Sequence, residues 1–117
     1  MSAAADALRL FIAPLLSDWR IQYGRWVDGD SKTDRFAVIK PAGGAPALLV
    51  RRPQFTVSLI GAVDDSVPSV SELADAIVEA MRTSSGDLVY LQASEPVFSA
   101  TGDGRPVFDI AVSAITT

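Results

Sequence analysis

Apolar residues near the start of the chain recur every three or four positions, which is the spacing of an amphipathic helix. Ser2 has a side chain suited to an N-cap, and the pattern continues to Asp18, so a first helix is predicted between them. Pro14 falls inside this segment. Because proline lacks an N–H and its ring clashes with the preceding turn, we expect the helix to kink or loosen there.

Three segments with β-strand composition follow. The first spans residues 20–27, where Ile and Tyr alternate with polar residues, and the second is the apolar run 36–39, halted before the glycine pair 43–44. The third begins at Leu48 and continues to Gly61. Pro53 interrupts it and cannot donate to a strand ladder, so we expect it at an edge, a bulge or a break.

A second helix is the clearest element of the pattern. Ser69 and Glu72 have the spacing of a capping box, and apolar residues from Leu73 to Met81 then form one face. The polar segment 83–86 ends the helix.

Three more strands are predicted at residues 88–92, 97–100 and 107–115, and the last two are separated by a Gly-rich turn. The order is helix, three strands, helix, three strands. Because no strand-helix-strand unit recurs and several links are short, the pattern predicts an α+β fold with a mixed, mostly antiparallel sheet of about five to six strands and two helices packed on one face. A length of 117 residues fits one domain spanning 1–117.

Composition restricts the chemistry that this chain can perform. It contains no histidine and no cysteine, which removes imidazole bases, thiol nucleophiles, disulfides and nearly all zinc sites. A net charge of −4 is opposite in sign to the footprint of a nucleic-acid-binding protein. The apolar stretch near the start is interrupted by Arg9 and Pro14, so neither a signal peptide nor a membrane span is predicted. A cytosolic origin is the default, although the lack of cysteine also permits an extracellular location.

The acidic residues do not form a convincing catalytic or metal site. Asp28, Asp30 and Asp34 resemble part of a calcium loop, but the sixth position is Thr33 and the twelfth is Ile39, where glycine and glutamate are required. We interpret this segment as a solvated loop.

Asp64 and Asp65 could share a metal ion or a proton. Their position just before the second helix, where negative charge is mildly favourable, indicates instead that they stay in water. We therefore predict no catalytic residues, no metal and no cofactor, and a protein that is not an enzyme.

Two groups of residues have more than one interpretation. Arg51 and Arg52 form the one adjacent basic pair and would either protect a strand edge or face a partner. Trp19, Tyr23 and Trp26 would either fill the core or anchor an interface.

The order of elements and several local motifs resemble a known family. The motifs are the glycine pair 43–44 after an aliphatic strand, the segment 52–57 (RPQFTV), the capped helix containing 73–77 (LADAI), and 104–108 (GRPVF) before the last strand. Together with the first helix, they cover nearly the full chain. This pattern resembles the small phage tail-terminator and minor tail proteins of the lambda-type tail completion family.

The resemblance implies a subunit that forms a hexameric ring on the completed tail tube, stops its polymerisation and offers a joining surface to the head. The implied partners are other copies of the chain, the tail tube protein and the head–tail connector protein, with no specific nucleic-acid binding and no membrane contact. The implied location is the virion tail, reached from the host cytoplasm. An acidic ring would let DNA pass without sticking.

The candidate docking loops are residues 28–34 and 41–46. The candidate interface residues are Arg51, Arg52, Arg105, Trp26, Asp28 and Asp30. A different class stays open as an alternative: a small non-enzymatic α+β binding module, either monomeric or dimeric, that holds an apolar ligand between sheet and helices.

Overall fold

The computed structural model describes residues 3–29, 33–45, 52–83 and 89–116. Within them, two α-helices accompany one six-stranded sheet. The elements are α1 (Ala3–Ile12), β1 (Arg20–Tyr23), β2 (Phe36–Ala45), β3 (Arg52–Ile60), α2 (Val67–Thr83), β4 (Val89–Ala93), β5 (Val97–Ala100) and β6 (Pro106–Thr116). The predicted element order is confirmed.

The strands follow the order β1-β2-β3-β6-β4, and β5 also pairs with β6. β1 runs parallel to β2, and every other pairing is antiparallel. On the side of β6 away from β3, β5 pairs with residues 106–109 and β4 with residues 112–116. The predicted α+β fold with a mixed, mostly antiparallel sheet is therefore confirmed.

Side chains alternate between the two faces of the sheet. Phe55, Val57 and Leu59 of β3 join the main core with buried residues of both helices, so we call this side the helix face. Phe36 and Val38 of β2 belong to a separate cluster on the opposite side, the far face. Both helices lie on one face, as the sequence predicts.

The first helix loosens at the predicted proline. α1 ends at Ile12, and a 3₁₀ turn at Ala13–Leu15 follows, with the proline in its first positions. β1 is shorter than predicted, because Gly24 has a φ of +94° and turns the chain out of the strand before Trp26.

The prediction that this strand stops before Gly43 and Gly44 is wrong, because β2 continues to Ala45. The pairing register of β2 with β3 shifts between Pro41 and Gly44, so an irregularity absorbs the glycine-rich sequence without ending the strand. Pro53 lies opposite Gly44 and precedes the part of β3 that pairs with β6. Its missing N–H therefore costs the central ladder nothing. The residues 48–51 predicted to begin this strand lie outside the described residues.

The N-cap of α2 differs from the predicted capping box. Ser66 Oγ accepts a hydrogen bond of 3.2 Å from the Ser69 N–H, and the Ser69 hydroxyl donates back to the Ser66 carbonyl at 2.9 Å. The helix thus begins at Val67, one turn before the pattern around Glu72. Pro68 is tolerated in this first turn because N–H groups there have no partner within the helix.

Candidate interface surfaces

Arg105 lies inside the fold, where its side chain is 0% exposed. It immediately precedes β6, and strand alternation directs it to the far face. Its Nε donates to the Gly61 carbonyl at 2.9 Å, and its Nη1 donates to Asp28 Oδ1 at 2.9 Å. Its Nη2 donates to the Asp34 carbonyl. One guanidinium therefore joins three segments that are far apart in the sequence.

Two aromatic rings flank the same guanidinium. The Arg105 Cζ atom lies 5.2 Å from the ring centroid of Trp26 and 5.6 Å from that of Phe36. The two rings contact each other in a tilted arrangement with centroids 6.0 Å apart. Trp26 packs against the far-face cluster of Phe36, Val38 and Ile60. The segment after β1 is thus held over the far face by cation–π contact, packing and hydrogen bonds.

The structure brings together three of the six candidate interface residues. Trp26, Asp28 and Arg105 form one contact cluster, in which Trp26 and Asp28 are half-buried. Arg105 does not reach the surface, because its polar atoms are directed to groups of its own chain. Arg51 and Asp30 lie outside the described residues, and Arg52 is described only as the first backbone position of β3. A contact of these six residues with a partner stays a prediction.

The two candidate docking loops differ from expectation. Residues 41–45 belong to β2, so the prediction of a loop there is wrong, and residue 46 lies outside the described residues. Of residues 28–34, the described ends are tied down, Asp28 by Arg105 and the Asp34 carboxylate by Arg20 at 3.4 Å. The interpretation as a freely solvated loop is wrong for these two side chains.

Asp65 has a structural partner instead of staying in water. Arg35 donates to both of its carboxylate oxygens at 2.7 Å, and the Ala62 N–H donates to Oδ2 at 2.7 Å. The hydrogen bond from Arg35 lowers the pKa of Asp65 and outweighs partial burial, which acts in the opposite direction. The prediction that this carboxylate is solvated is therefore wrong, whereas Asp64 is exposed.

An open depression lies beside this ion pair. It has a volume of about 190 Å³ and is lined by Trp19, Arg35, Asp65, Ser69, Val70 and Leu73. Both charges of the pair contribute to the wall, and they already satisfy each other.

Large apolar or aromatic side chains are exposed at two strands, β1 and β5. All four residues of β5 are exposed, and Val97 and Phe98 are 65% and 51% exposed. Tyr23, the last residue of β1, is 44% exposed. The β5 sequence alone gives no signal of this, because a short apolar run is equally typical of a buried strand.

The described residues also lack two features that would indicate other functions. They contain no group of three or more Asp and Glu residues placed to hold a metal ion. None of the helices in these ranges is long and apolar enough to cross a membrane.

The fold and surfaces define a small α+β protein with apolar side chains exposed along two strands. Comparison with protein families makes this class specific: the family described as phage tail termination protein matches residues 1–117. The chain belongs to that family, and the predicted resemblance is confirmed. It is a structural protein of phage tail assembly that belongs to the virion tail and interacts with tail components. Comparison with curated proteins gave no match.

Proposed function

We propose that this protein caps the completed tail tube, ends its polymerisation and forms the surface to which the head is joined. The observation that carries the proposal is the match of the tail termination family over residues 1–117. The chain acts as a single tail-terminator domain, and its partners are the tail tube protein and the head–tail connector protein. It assembles in the host cytoplasm before it becomes part of the virion.

The structure supports a non-enzymatic role through its carboxylates. Asp28 is bound to Arg105, Asp65 to Arg35, and Asp109 accepts a hydrogen bond of 2.5 Å from the Ser58 hydroxyl. Each of these carboxylates is thus bound by a group of its own chain, and among the described residues no three acidic groups are placed to hold a metal ion.

The working form is a hexameric ring of identical subunits. A ring closes when two different surfaces of each copy meet head to tail, which limits the number of copies without a separate counting device. With a net charge of −4 per copy, such a ring presents negative charge to DNA and lets the duplex pass without specific binding. A ring structure with basic residues around its opening would contradict this part of the proposal.

The candidate interface residues have distinct parts in this proposal. Arg51 and Arg52 make charged contacts with a neighbouring tail component, and Trp26, Asp28 and Asp30 contribute from the segment over the far face. Arg105 acts indirectly, because its buried guanidinium positions Trp26 and Asp28.

An apolar-ligand module is less well supported. The depression beside Arg35 and Asp65 has a volume of about 190 Å³, below the roughly 300–1,000 Å³ of small-molecule pockets. An ion pair in its wall is also unsuited to an apolar ligand.

Tail length tests the proposed function directly. Phage particles should be produced with and without this chain, and their tails measured by negative-stain electron microscopy. Without the chain, we expect tubes of variable, excessive length that lack heads, and the wild-type chain supplied in trans should restore uniform tails. Antibody labelling should place it at the end of the tail where the head joins.

The same assay tests the basic pair. The double variant Arg51→Glu, Arg52→Glu should fold normally and restore fewer joined particles than wild type. Equal tail lengths with and without the chain would contradict capping, and full activity of the double variant would remove the basic pair from the interface.

A further inference from the structure

The sheet ends in two strands that each pair on one side within the described residues. β1 pairs with β2 alone, and β5 pairs with β6 alone. The two strands lie at opposite ends of the strand order. An unpaired strand edge presents N–H and C=O groups in a row and is a template for pairing with another chain.

The hydrogen bonds of β1 determine which groups point outward. The N–H of Arg20 donates to the Arg35 carbonyl and the N–H of Gly24 to the Ile39 carbonyl, both at 2.8 Å on the β2 side. Backbone groups alternate in direction along a strand. The N–H and C=O groups of Ile21 and Tyr23 therefore point away from β2.

The same argument applies to β5. The Thr101 N–H donates to the Arg105 carbonyl at 3.0 Å, on the side of β6. Alternation directs Val97 and Ser99 to β6 as well, so the backbone groups of Phe98 and Ala100 point away from it. Each edge thus has two residues, at positions i and i+2, whose backbone N–H and C=O groups point away from the neighbouring strand of the same sheet.

The side chains at these positions lie on the same face of the sheet. Ile21 and Tyr23 are in register with Ala37 and Ile39, which point to the helix face. Phe98 is in register with Phe108, another helix-face residue, at a ring centroid distance of 5.3 Å. Because these side chains share one face, two copies can join edge to edge and continue one sheet with the helices of both copies on the same side.

Strand direction also fits. β1 is parallel to β2, and three successive antiparallel pairings lead from β2 through β3 and β6 to β5. β5 therefore runs opposite to β1. In a head-to-tail array that continues the sheet, the β1 of one copy meets the β5 of the next in the antiparallel arrangement.

We propose that β1 of one copy pairs with β5 of the next, so that Ile21 lies opposite Ala100 and Tyr23 lies opposite Phe98. This interface is heterologous, and it rests on the proposed ring. It exchanges four backbone hydrogen bonds and covers two aromatic side chains that are now exposed.

Charges beyond the paired residues are complementary. Arg25 lies two residues after β1 ends at Tyr23, and Glu95 lies two residues before β5 begins at Val97, so the antiparallel pair places these two exposed charges at the same end of the interface. Arg20 falls opposite Thr101, whose hydroxyl donates to Asp103. Within one copy, Glu95 already lies 3.6 Å from Arg82, and Arg20 lies 3.4 Å from Asp34. Exposed ion pairs of this kind exchange partners at little cost in free energy. In the proposed interface they therefore determine the pairing register of the two strands more than the binding affinity.

Disulfide cross-linking tests the register on a clean background, because the chain contains no cysteine. The double variant Tyr23→Cys, Phe98→Cys should give, on mild oxidation, a ladder of covalent oligomers that ends at the ring size. Directly opposite residues of a hydrogen-bonded antiparallel pair have Cα atoms about 5.5 Å apart, within disulfide range. The measurement should be made on the concentrated free protein and on purified tails.

The controls separate this interface from other contacts. Each single variant should stay monomeric on the denaturing gel, because its cysteine faces none in the next copy. The matched pair Val67→Cys, Phe98→Cys combines the same β5 position with an exposed residue of α2 and should give no ladder. Dimers of the single Tyr23→Cys variant would indicate a two-fold contact and overturn the proposal, as would the absence of a ladder both in free protein and in tails.

Charge exchange provides a second readout. Arg25→Glu and Glu95→Arg should each reduce ring formation several-fold in light scattering, and the double exchange should restore it. Rings that form and cap tubes without the predicted cross-link would refute the strand pairing and leave the proposed function intact. A ladder in a protein that does not limit tail length would refute the function and leave the pairing intact.

Discussion

The two faces of the sheet are closed in different ways. On the helix face, two amphipathic helices cover a continuous cluster of aliphatic and aromatic side chains. On the far face, a short segment lies over three buried side chains and is held by one enclosed arginine. The helix face tolerates adjustment, because apolar contacts are many and have no direction. The far face tolerates less adjustment, because each hydrogen bond of Arg105 is directional and requires one particular acceptor in one position.

Removal of the enclosed Arg105 should destabilise the far face and give the largest loss of stability. Arg105→Ala should lower the free energy of unfolding by about 3–5 kcal/mol, because Asp28 and two carbonyls lose their donor while still partly buried. Arg105→Lys should recover only part of this loss, because an ammonium cannot reach three diverging acceptors. Chemical denaturation measures both. The exposed Arg82→Ala is the matched control and should change stability by less than about 0.5 kcal/mol.

A fluorescence measurement sharpens the same comparison, since the chain's two tryptophans report on different faces. Trp19 packs against the helix-face core and Trp26 against the far-face cluster. In a Trp19→Phe background, Arg105→Ala should change the Trp26 emission in the native state, before global unfolding. An unchanged Trp26 spectrum would mean that the segment over the far face does not need its arginine.

A cavity on the helix face should have the next largest effect. Ile77→Ala removes a fully buried side chain of α2 and should cost about 2–5 kcal/mol in denaturant unfolding. We expect Trp26 emission to stay native, because the damage is on the other side of the sheet. Val67→Ala, at an exposed position of the same helix, should be close to neutral. A large loss of stability in Val67→Ala would indicate that the exposed fraction of a side chain does not determine how much its truncation destabilises this helix.

The ion pair near the start of α2 should show its contribution through pH. Because the pKa of Asp65 is lower in the folded state than in the unfolded state, its stabilisation is present above the unfolded-state value of about 4 and is lost as pH falls through the folded-state value. Asp65→Asn should cost about 1–3 kcal/mol at neutral pH and flatten the acid limb of the stability profile. Asp64→Asn, at its exposed neighbour, should leave that limb unchanged.

The helix cap should give the smallest effect. Ser66→Ala removes the acceptor for the Ser69 N–H and should cost about 1 kcal/mol in thermal or chemical unfolding. Ser71→Ala lies inside the helix and should be neutral or slightly stabilising, since alanine has the higher helix propensity. If Ser69→Ala were far more damaging than Ser66→Ala, the capping box around Glu72 would be the better description.

The helix face was predictable from the sequence, and the far face was not. Periodicity in α2 and alternation in β3 both report burial of apolar residues, and burial on the helix face is apolar. Arg105 gave no such signal, because a charged residue in a turn before a strand is typical of an exposed one. Its partner Asp28 is 77 residues away in the sequence, so no local pattern connects them.

The ends of β1 and β2 also could not be predicted from the local sequence. Gly24 ends β1 early through a positive φ, which composition alone did not indicate for a segment rich in aromatic residues. β2 passes through its glycine pair because β3 supplies a partner on the other side of the register shift. The end of β1 was thus decided by the backbone conformation of one glycine, and the length of β2 by tertiary pairing that local propensity did not indicate.

The position of β6 has a consequence for how the protein is made. This strand follows the other described elements, yet it pairs with β3, β4 and β5 at the centre of the sheet. While the ribosome is still adding residues before 105, β3 has β2 as its one neighbour among the described strands, β5 has none, and Arg105 has not been added. A nascent chain therefore cannot acquire a native far face or a native edge at β5 until synthesis has passed this strand. A chain that stops before β6 lacks the strand that joins β3, β4 and β5, so we expect it to lack the β5 edge that the proposed contact between copies requires.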